Sequence, residues 1–214
     1  MDEDLTFEEG RVLGCLIEKE MATPEYYPMT LNSLMAACNQ KSSREPQVAF
    51  DTPTIEKAIA GLRDKGLATL VHQSGARGAK NKHRVTERFP DLKEPHVALL
   101  ALLLLRGRQT VGELRTRSER LHKFGNLGEV ERTLDFLIGN APEPLVKMLP
   151  PGGGRHTKSF VQLLCGAPAG VEVDSVAVAE REESGGPTLR EEVRALRGEL
   201  EALRAEFDSF KAQF

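Results

Sequence analysis

Five cations crowd into the stretch HQSGARGAKNKHRVTER, His72 to Arg88. They are Arg77, Lys80, Lys82, Arg84 and Arg88, and Glu87 is the one carboxylate among them. The 214-residue chain carries a formal net charge of -3, so attraction for a polyanion has to come from a local patch of this kind. Arg77, Lys80, Lys82 and Arg84 have the chemistry to contact phosphates, and Gly75 and Gly78 let the backbone approach closely. His72 and His83 add only weak donors. A solvated charged loop has the same composition, so the elements on either side decide what the stretch can do.

Those elements follow from apolar periodicity. Thr6 caps a first helix in LTFEEGRVLGCLIEKEMAT, where Val12, Leu13, Leu16, Ile17 and Met21 share a face and Glu8 and Glu9 suit the positive end. Leu31, Leu34, Met35 and Cys38 mark a second helix. In DTPTIEKAIAGLRDKG, Thr52 serves as N-cap, Pro53 opens a third helix and Gly66 stops it, with Ile55, Ile59 and Leu62 as the buried stripe. LATLVH and KHRVT then read as short strands on either side of the basic loop.

The same order recurs: EPHVALLALLLLRGR, TVGELRTRSERL and NLGEVERTLDFLIGN as three helices, then PLVKMLPPGGGRHTKSFVQLL as strand, loop and strand. Thr110 and Glu113 stand at capping-box spacing. Thr30, Leu31 and Leu34 match Thr110, Val111 and Leu114 at an offset of 80, whereas Ile55, Ile59 and Leu62 match Val130, Leu134 and Leu137 at an offset of 75. The first copy thus holds about five extra residues before its third helix. The pattern predicts a mostly α chain with small β-hairpins (α+β). It has two tandem winged-helix domains, residues 1–93 and 94–166, a flexible linker at 167–187 and a C-terminal coiled-coil helix at 188–214. A helical bundle with irregular loops is the competing fold.

In winged-helix domains the third helix enters the major groove and the hairpin wing lies along the backbone. The basic stretch would be such a wing. Lys41 and Arg44 in NQKSSREP extend its patch, and Thr54 and Lys57 on the third helix are within reach of DNA, although Glu56 and Asp64 leave that helix nearly neutral. Binding should therefore be wing-weighted, salt-sensitive and modest in sequence specificity. The second copy is poorly equipped to hold DNA, because Glu129, Glu131 and Asp135 outnumber Arg132 on its third helix, beside a wing holding Arg155 and Lys158. It suits packing on the first copy, pairing with another subunit or docking a protein partner.

RVLGCLIEKE, TPEYYPMTLNSLMAACNQKSSREP and IEKAIAGLRDKGL, followed by the SGAR…KHR wing, resemble the YceH family of bacterial proteins. The likeness runs from about Leu5 to Gly166, and ACNQKSSREP is its most specific block. It implies two winged-helix domains, often with a C-terminal helical segment, and no defined reaction. Wings of that family commonly carry an aromatic near this lysine, where this chain has Asn81, so the resemblance gives the wing no base-stacking role.

Other chemistry finds little support. Cys15, Cys38 and Cys165 are widely separated, with no C-x-x-C pair and no His at ligand spacing, as expected of reduced thiols in a cytoplasmic protein. HVALLALLLL is about half the ~20 residues a membrane span needs, so it reads as a buried core helix. GGGRHTKS misses a phosphate-binding loop, because Thr157 stands at its last glycine and a strand follows it. No enzyme, metal site, cofactor or ligand pocket is expected. Two functions stay open: a non-enzymatic DNA-binding protein of helix-turn-helix type, or a protein-interaction adaptor that binds no DNA.

The C-terminus carries one more pattern. Leu189, Val193, Leu196, Leu200, Leu203, Phe207, Phe210 and Phe214 alternate spacings of four and three, a heptad seam. Arg190, Arg197, Arg204 and Lys211 occupy e positions, and Glu192, Glu199, Glu206 and Gln213 occupy g. A parallel pair sets Glu192 against Arg197, Glu199 against Arg204 and Glu206 against Lys211. An antiparallel pair sets like charges together. Exposed pairs contribute only a few tenths of a kcal/mol each, so they choose orientation more than they stabilise. The two readings are a parallel homodimer and an amphipathic helix docked on its own chain. Sedimentation equilibrium at micromolar concentration separates them: the seam predicts a dimer, and a monomeric mass excludes it.

Overall fold

The computed structural model describes residues 4–72, 78–139, 143–151 and 157–166. The linker and the heptad residues Leu189 to Phe214 lie outside them, as does Arg77. The described residues contain seven α-helices and two antiparallel hairpins.

Helix α1 (Phe7–Ala22) opens with a reciprocal cap: the Glu9 amide donates to the Thr6 hydroxyl at 3.2 Å and the Thr6 amide to the Glu9 carboxylate at 2.8 Å. Every residue from Glu9 to Ile17 is buried, which an ordinary amphipathic stripe does not explain. The cause is cover on several sides. Helices α2 (Leu31–Cys38) and α3 (Thr52–Asp64) pack on α1 within the first copy, and α5 (Glu94–Arg106) of the second copy lies along it. Helix α5 is buried throughout His96–Leu105, as a run apolar on all sides requires. One hydrophobic cluster therefore runs through both copies.

Helix α3 begins one residue earlier than the sequence suggests. Asp51, not Thr52, is the cap, and its carboxylate accepts the Thr54 amide at 3.0 Å. The Asp51 carboxyl is held below the usual carboxylate range by its hydrogen bonds with Thr54. Ile55, Ile59 and Leu62 face the core as their spacing requires. Strands β1 (Ala68–Val71) and β2 (Lys80–His83) pair with Thr69 opposite Lys82 and Val71 opposite Lys80. A short helix α4 (Val85–Arg88) leads into the second copy. There α6 (Val111–Ser118) and α7 (Leu127–Gly139) repeat the lengths of α2 and α3, eight and thirteen residues. Strands β3 (Val146–Leu149) and β4 (Ser159–Gln162) form the second hairpin.

The duplication extends to single backbone pairs. Met29, between α1 and α2, exchanges two hydrogen bonds with Asn81 of β2 at 3.0 and 2.7 Å. Gln109, between α5 and α6, does the same with Phe160 of β4 at 3.1 and 2.7 Å. Each hairpin is thereby anchored to the segment joining its copy's first two helices.

Glycines set the closeness of α1 and α5. A Cβ at Gly14 would lie 2.9 Å from Leu105 Cγ and 3.1 Å from Leu104 Cβ. Both leucines are buried and have nowhere to move. Gly14→Val should lower stability by about 1–3 kcal/mol in urea denaturation, the usual penalty of overpacking. Gly112→Val in α6, where a new Cβ meets open space, should stay within about 0.5 kcal/mol of wild type.

Candidate nucleic-acid interface

Hairpin alternation sorts the basic stretch into two faces. Asn81 and His83 of β2 turn inward and are buried, so Lys80 and Lys82 share the outward face with Thr69 and Val71. The inward pair fixes the hairpin on α1. His83 Nε2 meets the Glu20 carboxylate at 2.6 Å, and its backbone amide donates to the Tyr27 hydroxyl at 2.7 Å. That contact with His83 holds the Glu20 carboxyl below its usual range; burial opposes the shift, while the charge of nearby Lys82 adds to it. His83 therefore anchors the hairpin on α1 and does not face outward as a donor to a ligand.

The remaining cations are distributed unevenly. Arg84 is exposed but grips Glu87, at 2.5 Å from its Nη2 and 2.6 Å from its Nε. Arg88 stands 3.6 Å from Glu143. Lys41 is exposed on the connection after α2, and its carbonyl accepts from the Gln47 side chain at 2.6 Å. On α3, Lys57 is exposed and Thr54 half-buried. Both line a cleft of about 280 Å³ whose other wall includes Glu8 and Glu9. A phosphate approaching Thr54 and Lys57 would meet those carboxylates as well.

Arg44 is a correction. The charge of NQKSSREP places it on the basic surface, but its side chain is fully buried. Its Nη1 and Nη2 reach Glu18 at 3.0 and 2.5 Å, while Nε donates to the Ala37 carbonyl at 3.0 Å and Nη1 also to its neighbour's carbonyl at 2.9 Å. Buried, with four of its five N–H bonds engaged, the guanidinium is not presented to a phosphate. Arg11, also fully buried, ties down the same segment through the Pro46 carbonyl at 2.7 Å. The Asn39 side chain exchanges two 2.8 Å bonds with the Phe50 backbone. Across the copies, the Glu45 amide donates to the Leu105 carbonyl at 2.9 Å and Arg106 to the Ser43 hydroxyl at 2.7 Å. The segment that reads as most distinctive in the sequence is a strap joining α2 to α5.

The second copy opposes its own cations. Lys158 lies 3.3 Å from Glu131 of α7, and Arg108 bonds Ser159 and the Pro150 carbonyl. Arg155 lies outside the described residues. Among the described residues no three of His, Cys, Asp and Glu meet as a metal site would need, and no helix is long and apolar enough to cross a membrane. Sequence reasoning names no pocket, yet a cleft of about 480 Å³ opens beside α7, lined by His96, Phe124, Arg132 and Phe136. Its signal is weak in the sequence: the aromatics come from three separate segments, and only the fold gathers them.

The strap yields a stability test. Removing one partner of a buried pair strands the other charge, so Arg44→Ala should cost about 3–5 kcal/mol in urea denaturation. Exposed Lys41→Ala should change stability by less than about 0.5 kcal/mol. A mild Arg44 variant would mean that the pair does not hold the strap.

The sequence matches, over residues 5–155, a family model described as a protein of unknown function, DUF480. A UPF0502 protein of Geobacter metallireducens is 49% identical over 172 residues, covering 80% of this chain and 77% of that protein. Another, from Geobacter sulfurreducens, is 51% identical over 160 residues, covering 75% and 72%. A third, from Solibacter usitatus, is 46% identical over 184 residues, covering 86% and 87%. With its distinctive block accounted for as the strap, and with a matched stretch that takes in both helical copies, the chain belongs to the DUF480/UPF0502 family of bacterial proteins.

Proposed function

We propose that this protein is a non-enzymatic, cytoplasmic DNA-binding protein of winged-helix type and YceH kind, which grips duplex DNA through the hairpin of its first copy. The observation that carries the reading is the outward face of β2. Lys80 and Lys82 share it, Arg84 follows, and Asn81 and His83 are tied inward so that the hairpin is held rigid on α1. The winged-helix part is supported by the backbone pairs Met29–Asn81 and Gln109–Phe160, which add a third, single-residue strand to each hairpin. That three-helix, three-strand order is the winged-helix order.

The carboxylate on Arg84 does not prevent phosphate binding. Both partners are exposed, with side-chain exposures of 44% and 49%, and such pairs are worth about 0–1 kcal/mol. A phosphate oxygen can displace Glu87. With Arg44 withdrawn into the core, the patch consists of Arg77, Lys80, Lys82 and Arg84, with Lys41, Thr54 and Lys57 as minor contacts. Dimerisation through the C-terminal heptads would present two such hairpins to one duplex.

A second reading, an adaptor that docks a protein on the second copy, draws on its exposed apolar side chains. Leu127, Phe136 and Met148 are 48%, 39% and 49% exposed. Fluorescence anisotropy with mixed-sequence duplex DNA at low and near-physiological salt decides between the two. The DNA reading predicts binding that weakens steeply with salt. Replacing Arg77, Lys80, Lys82 and Arg84 together by Ala should reduce the salt slope by up to about 3–4 and weaken affinity at least about tenfold. Unchanged binding by that variant, or none by the wild type at low salt, favours the adaptor.

A further inference from the structure

Helix α5 starts at Glu94 with Lys93 as its cap, a residue with no acceptor to offer the free amides there. His96 reaches back instead, and its Nδ1 accepts the Lys93 amide at 2.9 Å. An Nδ1 that accepts leaves the neutral ring with its proton on Nε2. Burial, reinforced by Lys93, lowers the His96 pKa and favours the same neutral form. His96 is 9% exposed and lines the 480 Å³ cleft, and its ring makes no other hydrogen bond among the described residues.

One face of that ring stacks on Phe136 of α7, centroids 4.2 Å apart and planes 20° from parallel. Phe136 nevertheless keeps 39% of its surface exposed. A second aromatic pair stands in the same region: Phe124 meets the His122 ring edge-on at 4.7 Å. Aromatic side chains thus line the cleft, and its volume falls within the range of about 300–1,000 Å³ usual for small-molecule sites.

Its charges select the ligand. Glu129 is occupied by the Gly125 amide at 2.7 Å, and Glu94 by His122 at 2.9 Å. Lys93 and Arg132 also line the cleft and form no ion pair among the described residues; the carboxylates of Asp91 and Glu129 line it too, Glu129 turned to the Gly125 amide. The positive end of α5 adds to the same sign. Aromatic side chains, two cations outside any ion pair and the His96 Nε2–H fit a flat ring bearing a negative charge.

We propose that this cleft binds a small planar aromatic carboxylate, its ring against Phe136, its carboxylate held by Arg132 and Lys93, and a polar ring substituent or carboxylate oxygen accepting from His96 Nε2. The site is independent of whether the hairpin binds DNA.

Isothermal titration of the full chain with 2-naphthoate tests it, beside 2-naphthamide, which lacks the charge, and decahydronaphthalene-2-carboxylate, which lacks the flat ring. Saturable sub-millimolar binding of 2-naphthoate is expected, with both analogues at least about tenfold weaker. Phe136→Leu and Arg132→Gln, both at exposed positions, should each weaken 2-naphthoate at least about tenfold, with melting temperatures that show the fold intact. No saturable binding at millimolar concentration overturns the proposal. So does equal binding of all three ligands, or unchanged affinity in both variants.

Discussion

The packing of α1 against α5 is the constraint on which the rest depends. Each helix opens one copy of the duplicated unit, and each is buried on nearly every side over about its central two and a half turns. Helix α5 could not be stable alone in that form, because a helix apolar all round has no face to offer water. Placing them together satisfies both at once and needs small residues at the crossing, which Gly10 and Gly14 supply one turn apart. The core is consequently shared, so each hairpin hangs from a scaffold that includes the other copy's first helix.

That arrangement explains why two buried guanidiniums are tolerated. Arg11 and Arg44 sit where the strap after α2 crosses toward α5, Arg11 donating to the Pro46 carbonyl of the strap and Arg44 to the Ala37 carbonyl of α2. A buried ion pair is weak support for net stability, since desolvation offsets much of the Coulombic gain. Its effect here is to specify position: the fork of Arg44 fits the Glu18 carboxylate in one register only. The connection that makes this crossing is also the one in which the first copy carries its extra residues.

The two copies share a backbone plan and differ in surface chemistry. The first presents Lys80 and Lys82 outward on its hairpin, while the second neutralises Lys158 on Glu131 and exposes apolar and aromatic groups along α7. Duplication followed by such divergence places a cationic hairpin and an aromatic cleft on one rigid core.

The sequence by itself determined the order of the longer elements, because helix and strand periods, the caps Thr6 and Thr110 and the helix-opening Pro53 act locally; it reads Val85 and Thr86 as strand, where the chain instead turns into α4. It also determined the duplication, whose offsets reappear in the equal lengths of α2 and α6 and of α3 and α7. It determined that HVALLALLLL would be covered, since nothing else suits ten consecutive buried residues. Only the tertiary structure decided which charges face water. Arg44 and Lys41 stand three residues apart in the same polar segment, and nothing local separates them; Glu18, one helix away, draws one inward and leaves the other exposed. Local patterns likewise carry no trace of the cleft at His96 and Phe136, forty residues apart, because its geometry is created by the approach of α7 to the start of α5. Short-range forces write the elements, and long-range packing writes the sites.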